Sequence, residues 1–341
     1  MKGTYIGVLP ELDPLYGFLA QEVLEGALGY GGYQPVFDIY QIHSEATVLG
    51  YAERRTRVCL VGKFYGRKWL GDSQGDLPDR RAALAQRELD NLRRARALGL
   101  VGYPHAVVRP LALGQPPDSV LVEEYVFGRN LDSVIWEAVY DSKTAPLYAR
   151  LEDLAWFLAN MHNRSQEGQP WQPDPDLAYL DKLLAQLEDA GLITAERRRL
   201  LERRRDRWAA AGVLGTPCPV LLHGDATPSN FLFHHDHQVT AIDLERMRPG
   251  DRALDLGCVA AELKHLFFLY TQNLWSSEPY IRHFYAAYSA YLPAGSPDAA
   301  TLTERGRFYM GCYGLRIARN SWLDIEHRRR LIANAEECLD L

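Results

Sequence analysis

The run His223-Gly224-Asp225-Ala226-Thr227-Pro228-Ser229-Asn230, followed by Asp243 thirteen residues after Asn230 in Ile242-Asp243-Leu244-Glu245, concentrates the side chains best suited to chemistry. Two carboxylates and an amide at this spacing suit phosphoryl transfer. That reaction asks the protein for a group that accepts a hydroxyl proton and for oxygen ligands that hold Mg²⁺ against nucleotide phosphates. In such chemistry Asp225 is the base, and Asn230 and Asp243 are the metal ligands. Magnesium is a hard, octahedral ion that takes one or two carboxylates together with phosphate oxygens and water, and this set supplies them. Between Asn230 and Asp243 stand Phe231-Leu232-Phe233, a polar His234-His235-Asp236-His237 turn and Val239-Thr240-Ala241-Ile242, which is a hairpin pattern. A hairpin returns the chain on itself, so Asn230 and Asp243 are expected to share one metal.

His-Gly-Asp, four residues, Asn, and then Ile-Asp-x-Glu resembles the catalytic segment of the aminoglycoside phosphotransferase and choline kinase superfamily, relatives of the protein kinases. The histidine-arginine-aspartate triplet of protein kinases is here His223-Gly224-Asp225. The resemblance spans about residues 34 to 262 and implies an α+β, protein-kinase-like bilobal fold. Its N-terminal lobe would be a small antiparallel sheet and its C-terminal lobe larger and mostly helical. It further implies ATP, or GTP, with Mg²⁺ as cofactors, and a small-molecule hydroxyl of aminoglycoside-, choline- or sugar-like type as the phosphate acceptor.

Such an enzyme needs a strand lysine for the α/β-phosphates and a helix glutamate to hold that lysine, both well upstream of the catalytic loop. Arg57-Val58-Cys59-Leu60-Val61-Gly62-Lys63-Phe64 is an apolar strand that ends near Lys63. Arg81 to Leu98 is rich in helix formers, with Leu84, Leu89 and Leu92 as its apolar stripe, and Glu88 sits in its middle as the expected partner of Lys63. The strand Ser119 to Glu124, running through Tyr125-Val126-Phe127-Gly128 to a helix near Asp132, resembles the interlobe hinge. There the main chain at Glu124 and Val126 would hold the adenine edge. Gln34 to Ile42 and Thr47 to Tyr51 read as paired strands, which makes His43-Ser44-Glu45-Ala46 the loop over the nucleotide, with Ser44 as a phosphate ligand. Asp255, in Asp251-Arg252-Ala253-Leu254-Asp255, is expected to brace the catalytic loop or to cap a helix. Glu245 is either an outer metal partner or solvated.

With 341 residues and 47% hydrophobic content, the chain is too long for one typical domain. Two lobes are expected: a nucleotide-binding lobe over residues 1–127 and a helical lobe over residues 128–341 carrying the catalytic loop and acceptor site. A net charge of −6 gives no basic field for nucleic acid, and the arginine-rich run Glu196 to Arg205, interleaved with Leu and Glu, reads as a solvated amphipathic helix. Five cysteines without paired short spacing suggest neither a disulfide framework nor a zinc site, which fits a reducing cytoplasm. No stretch reaches the roughly 20 apolar residues of a membrane span. The expected molecule is a cytoplasmic monomer or homodimer without nucleic-acid or membrane partners. Nine aromatics between His265 and Tyr291 suit either an acceptor pocket or packing between helices, and their helical spacing favours packing. From Asp255 onward ten acids face nine Lys or Arg, so the acidic excess that a polycationic acceptor favours is missing. A protein acceptor, or a silent nucleotide-binding module, is the alternative to a small-molecule kinase.

Overall fold

The computed structural model describes residues 1–42, 47–65, 78–114, 119–166, 169–215, 218–296 and 299–341. The chain forms two compact units: Met1–Gly128 together with Thr240–Glu245, and Arg129–Val239 together with Arg246–Leu341. The six residues that return to the first unit are those that carry Asp243 and Glu245.

The first unit is built on strand β1 (Thr4–Val8), the short helix α1 (Pro14–Phe18) continuing as a π-helix through Leu19–Ala27, then β2 (Phe37–Gln41), β3 (Val48–Glu53) and β4 (Cys59–Phe64). Helix α2 (Pro78–Ala97) follows, then β5 (Val101–Gly102), β6 (His105–Val107), β7 (Pro110–Gly114) and β8 (Val120–Glu124). Six strands form an antiparallel sheet in the order β1-β2-β3-β4-β8-β7. Because side chains alternate along a strand, β4 buries Leu60 and Phe64 in a core with Leu19, Val23, Phe37, Tyr51, Val120 and Val122. Val61 and Lys63 project from the other face. In α2 the buried stripe is Ala85, Glu88, Leu89, Leu92 and Ala95. Leu84, expected on this stripe, lies off it at 39% exposure, and Glu88 lies on it, at 1%.

The second unit contains β9 (Arg129–Asn130), α3 (Leu131–Tyr140), α4 (Thr144–Arg164), α5 (Asp174–Asp189), α6 (Ala195–Ala211), β10 (Val220–Leu222) and β11 (Phe231–Phe233). Strand β12 (Val239–Ala241) leads the chain out to the first unit, and after its return come β13 (Arg248–Gly250), α7 (Ala253–Thr271), α8 (Glu278–Ala290), α9 (Leu302–Ala318) and α10 (Ile325–Cys338). Side chains satisfy the free N–H groups at several helix starts: Asn130 accepts from Ser133 N–H, Thr194 from Arg197 N–H and Asp324 from His327 N–H. Helix α7 is buried along most of its length and packs on α9. The approach is close at Gly257, where a Cβ would stand 2.5 Å from the Tyr309 Cβ and 2.7 Å from the Met310 nitrogen. The arginine-rich segment forms α6, whose cations meet acids: Arg198 pairs with Glu188 and Glu202 at 2.8 Å each. Among the described residues all five cysteines are free thiols, and no helix is long and apolar enough to cross a membrane.

Candidate active site

In the second unit, β10 delivers the chain to His223-Gly224-Asp225, and a 3₁₀ turn, Pro228–Asn230, leads into β11. Gly224 has φ +79°, and a Cβ there would collide with the Arg246 carbonyl oxygen. Only glycine tolerates both constraints, which is the physical reason for a Gly between His223 and Asp225. The loop is fastened from several sides. Asp255, in the first turn of α7 and fully buried, accepts the His223 N–H at 2.7 Å on Oδ2 and the Gly224 N–H at 2.9 Å on Oδ1. His162 Nε2 lies 3.1 Å from the same carboxylate, and its Nδ1 lies 2.7 Å from the Tyr288 hydroxyl. Burial alone would raise the Asp255 carboxyl, but the bond from His162, its field and that of His223, and the Gly224 amide together hold it below the usual value.

Asp255 is therefore a brace for the loop, and the cap of α7 comes from a neighbour. Asp251 accepts the Ala253 N–H at 3.0 Å and is clamped by Arg305, whose Nε and Nη2 donate at 2.7 and 3.2 Å. On the loop's other side the Tyr313 hydroxyl donates to the Gly224 carbonyl at 3.1 Å. Asn230, 8% exposed, donates Nδ2 to the Asp225 carbonyl at 2.9 Å, which directs the amide nitrogen into the loop. The Asp225 carboxylate itself accepts from Arg316 Nη1 at 2.8 Å, with Arg246 Nε 3.5 Å from its second oxygen. Arg316 lies on α9, in a stretch that motif reasoning left unread. Its only local signal is a position one helical turn after Tyr313. The turn after β11 is closed by the His234 N–H to the Gln238 carbonyl at 2.9 Å, as a hairpin requires, and His237 leaves it to meet Asp153 at 2.9 Å.

In the first unit, Lys63 on β4 is ringed by carboxylates: Glu88 of α2 at 2.5 Å, Glu123 of β8 at 3.4 Å and Asp243 at 3.5 Å. Burial would lower the Lys63 ammonium, but Glu123, Glu88 and Asp243 outweigh it and hold the pKa well above its ordinary value. Glu88 also accepts the Tyr65 hydroxyl. Asp243 reaches this cluster because its segment is tied down on both sides: the Val108 N–H donates to the Ala241 carbonyl at 2.9 Å and Asn91 Nδ2 to the Leu244 carbonyl at 2.8 Å. Its backbone is left-handed, φ +62°, a conformation seldom adopted outside glycine and retained where surroundings enforce it. Glu123 was not among the residues expected at a site. The register explains its presence: Lys63 pairs with Leu121, and Glu123 stands two residues further along on the same face. Burial, reinforced by Glu88 and Asp243, pushes its carboxyl up to about 7 despite Lys63.

Carboxylate oxygens of Glu88, Asp243 and Glu245 lie within 4.8 Å of one another. Glu88 is committed to Lys63 and Tyr65, so Asp243 and Glu245 are the pair suited to a hard divalent ion that completes its shell with phosphate and water. The donor set fits Mg²⁺. Of the remaining expected residues, Ser44 lies outside the described residues. Glu124 donates its N–H to the Arg109 carbonyl at 3.0 Å, and the Val126 main chain has no hydrogen-bond partner among the described residues. The aromatics after His265 mostly pack: Phe267 stacks on Tyr280 with centroids 4.9 Å apart, and Phe284 and Tyr288 are fully buried. Trp275, 61% exposed, is an exception.

Solved structures share this fold at low sequence identity. Choline kinase LicA from Streptococcus pneumoniae is 16% identical with a TM-score of 0.52, over 88% of this chain and 90% of that one. The ethanolamine kinase of Plasmodium vivax is 14% identical with a TM-score of 0.56, over 88% and 81%. The ternary complex of APH(2'')-IIa with streptomycin and ATP is 13% identical with a TM-score of 0.56, over 93% and 96%. No curated protein matches by sequence. The phosphotransferase enzyme family, in contrast, matches residues 74–298, more than half of the sequence and inclusive of the Asp225 loop, Asp243 and Asp255, and the chain belongs to that family.

Proposed function

We propose that the protein is an ATP-dependent kinase that phosphorylates a hydroxyl group of a small molecule. The observation that carries this reading is the Lys63 cluster, in which residues 63, 88 and 243, far apart in sequence, meet within 3.5 Å of one ammonium group. A lysine fixed by one carboxylate and adjoining a second that suits a metal is the arrangement that binding of nucleotide phosphates requires. ATP in the APH(2'')-IIa complex, and the choline and ethanolamine kinases of the same fold, agree with it.

Each residue then has a task. Lys63, oriented by Glu88, neutralises phosphate oxygens. Glu124 and Val126 offer main-chain groups to the base, and the first unit serves as the nucleotide-binding part. Asp243, with Glu245 adjoining it, and Asn230 would supply the oxygen ligands for Mg²⁺, which when bound would offset phosphate charge. The second unit supplies the acceptor chemistry. As the acceptor oxygen bonds to the γ-phosphorus and the bond to the ADP oxygen breaks, Asp225 takes the hydroxyl proton. The Asp255 brace keeps Asp225 in place, since a base misplaced by about 1 Å forfeits on the order of 10²-fold in rate.

An ADP-release assay with Mg-ATP across hydroxyl acceptors tests the proposal. Asp225→Asn keeps the volume and removes the proton acceptor, so the expected result is a loss of turnover by about 10² to 10⁴-fold with an intact fold. Wild-type rates in the folded variant would show that Asp225 is not the base.

A further inference from the structure

The function proposed above leaves the acceptor's chemistry open, and the surroundings of Asp225 bear on it. We infer that the acceptor carries an anionic group, a carboxylate or phosphate, a few bonds from its reactive hydroxyl, and that Arg316 binds this group. The inference rests on the kinase reading and on Asp225 as the base.

Arg316 presents a guanidinium, a planar fork with five N–H donors that matches carboxylate and phosphate oxygens two at a time. Among the described residues its side chain makes one hydrogen bond, from Nη1 to Asp225 Oδ1 at 2.8 Å. Nε and Nη2 have no hydrogen-bond partner among the described residues, on a side chain 15% exposed. Donors left free on a largely buried side chain can be taken up by an acceptor that arrives with the substrate. The Tyr313 ring, 5.1 Å beneath the guanidinium carbon, fixes the plane of the fork. If Arg316 served only to orient Asp225, a two-pronged pair would be the expected geometry. The single prong keeps the fork turned partly elsewhere.

The local charge points the same way. Arg246 also approaches Asp225, at 3.5 Å, and Tyr179 feels the fields of Arg316, Arg319 and Arg246 together. Against these stand Asp225, Asp132, whose carboxylate accepts the Tyr270 hydroxyl, and the half-buried Glu262, whose carboxyl burial pushes up to about 7, so that it is an incomplete counter-charge at neutral pH. A polycation would meet arginines around the base, whereas an anion meets donors. The spacing bounds the acceptor's size. A hydroxyl on Asp225 and an anion on Arg316, each at hydrogen-bond length from groups 2.8 Å apart, are separated by about two to five bonds.

The test pairs acceptors that differ in charge, in the ADP-release assay at saturating Mg-ATP: glycerate against glycerol, 4-hydroxybutyrate against 1,4-butanediol, and glycerol 3-phosphate, with choline and kanamycin as cations. The carboxylate and phosphate arms show which anion is preferred. The expected result is a kcat/KM at least about tenfold higher for an anionic acceptor than for its neutral partner, expressed in KM. Arg316→Gln removes a bond to Asp225 and so should lower kcat for both partners, but it should raise KM by about ten- to a hundredfold for the anion alone, a KM loss that Arg316→Lys should partly recover. A purely structural Arg316 would depress kcat for both substrates alike without that difference in KM, which overturns the inference. Equal use of charged and neutral acceptors, or a preference for choline or kanamycin, also overturns it. If that turnover is lost in Asp225→Asn, the kinase reading stands without the inference. A readout independent of turnover is calorimetric titration with malonate in the presence of Mg-ADP. Binding to the wild type that Arg316→Gln abolishes supports the assignment; no binding to the wild type, or equal binding to both, defeats it.

Discussion

Replacing Asp255 with Asn changes one atom and should cost more than most substitutions in this protein. The carboxylate receives the His223 N–H and the His162 ring on Oδ2, and the Gly224 N–H on Oδ1, at 2.7, 3.1 and 2.9 Å, with no exposure to water. An asparagine has one acceptor oxygen and one NH₂. Set toward Oδ2, its NH₂ would face two donors; set toward Oδ1, it faces only the Gly224 N–H, which makes the second orientation the better. That choice still forfeits one charge-assisted bond, leaves a buried N–H without an acceptor, and weakens the other two bonds by removing the charge. At roughly 1.5–3 kcal/mol for the bond and 1–3 kcal/mol for the orphaned donor, the loss comes to about 2.5–6 kcal/mol. Urea unfolding of both proteins at pH 7 measures this difference, and hydrogen exchange at the Gly224 amide locates it. Because Gly224 adjoins Asp225, kcat should fall in parallel. The pH dependence has a defined sign: a carboxyl held below its unfolded value stabilises the fold above about pH 4 and ceases to do so as pH falls through the depressed folded value. The part of the gap that stems from the Asp255 charge is therefore present above about pH 4 and closes on acidification below it. A loss under about 1 kcal/mol with unchanged exchange at Gly224 would refute the assignment of Asp255 as the loop's brace.

Two further outcomes follow from the same geometry. Gly224→Ala must put a Cβ against the Arg246 carbonyl in a left-handed backbone conformation, so thermal denaturation should show a loss of about 2–4 kcal/mol together with loss of turnover. Glutamine at the same site would fare no better, whereas wild-type stability in Gly224→Ala would mean that the loop is free to move away. At Glu123 the folded carboxyl keeps its proton up to about 7 while the unfolded one releases it near 4.5. This raises the folded-state value, so the contribution to stability is complete below pH 4.5 and declines as pH rises toward 7, at no more than about 1.4 kcal/mol per pH unit. Glu123→Gln should flatten that decline in a series of urea titrations from pH 4.5 to 7.5; parallel curves for the two proteins would exclude Glu123 as its source.

What the sequence discloses about this site divides along a physical line. Lys63 and Glu88 could be paired because kinase-like chemistry demands a strand lysine and a helix glutamate upstream of the catalytic loop, and an apolar strand ending near Lys63 and a helix around Glu88 stand in that order. For Asp255 the family resemblance offered a brace for the loop and local chemistry offered a helix cap; the structure gives the brace to Asp255 and the cap to Asp251. The α2 stripe shows where this logic slips: Leu84 satisfied the period yet faces water, and Glu88, the polar residue, occupies the buried face because Lys63 compensates it. Glu123 and Arg316 were beyond such reasoning. Glu123 became a neighbour of Lys63 only through the register of β8 on β4, which no period within either strand specifies. Arg316 reaches Asp225 across 91 residues of chain because α9 crosses α7 closely enough for Gly257 to admit it. Both residues depend on pairings between elements rather than on patterns within them. Local periodicity thus marks the groups common to the chemistry of the fold, while the residues that adjust charge at the phosphate-binding lysine and beside the base enter through tertiary contacts. It is there that one member of the family can diverge from another without altering its motifs.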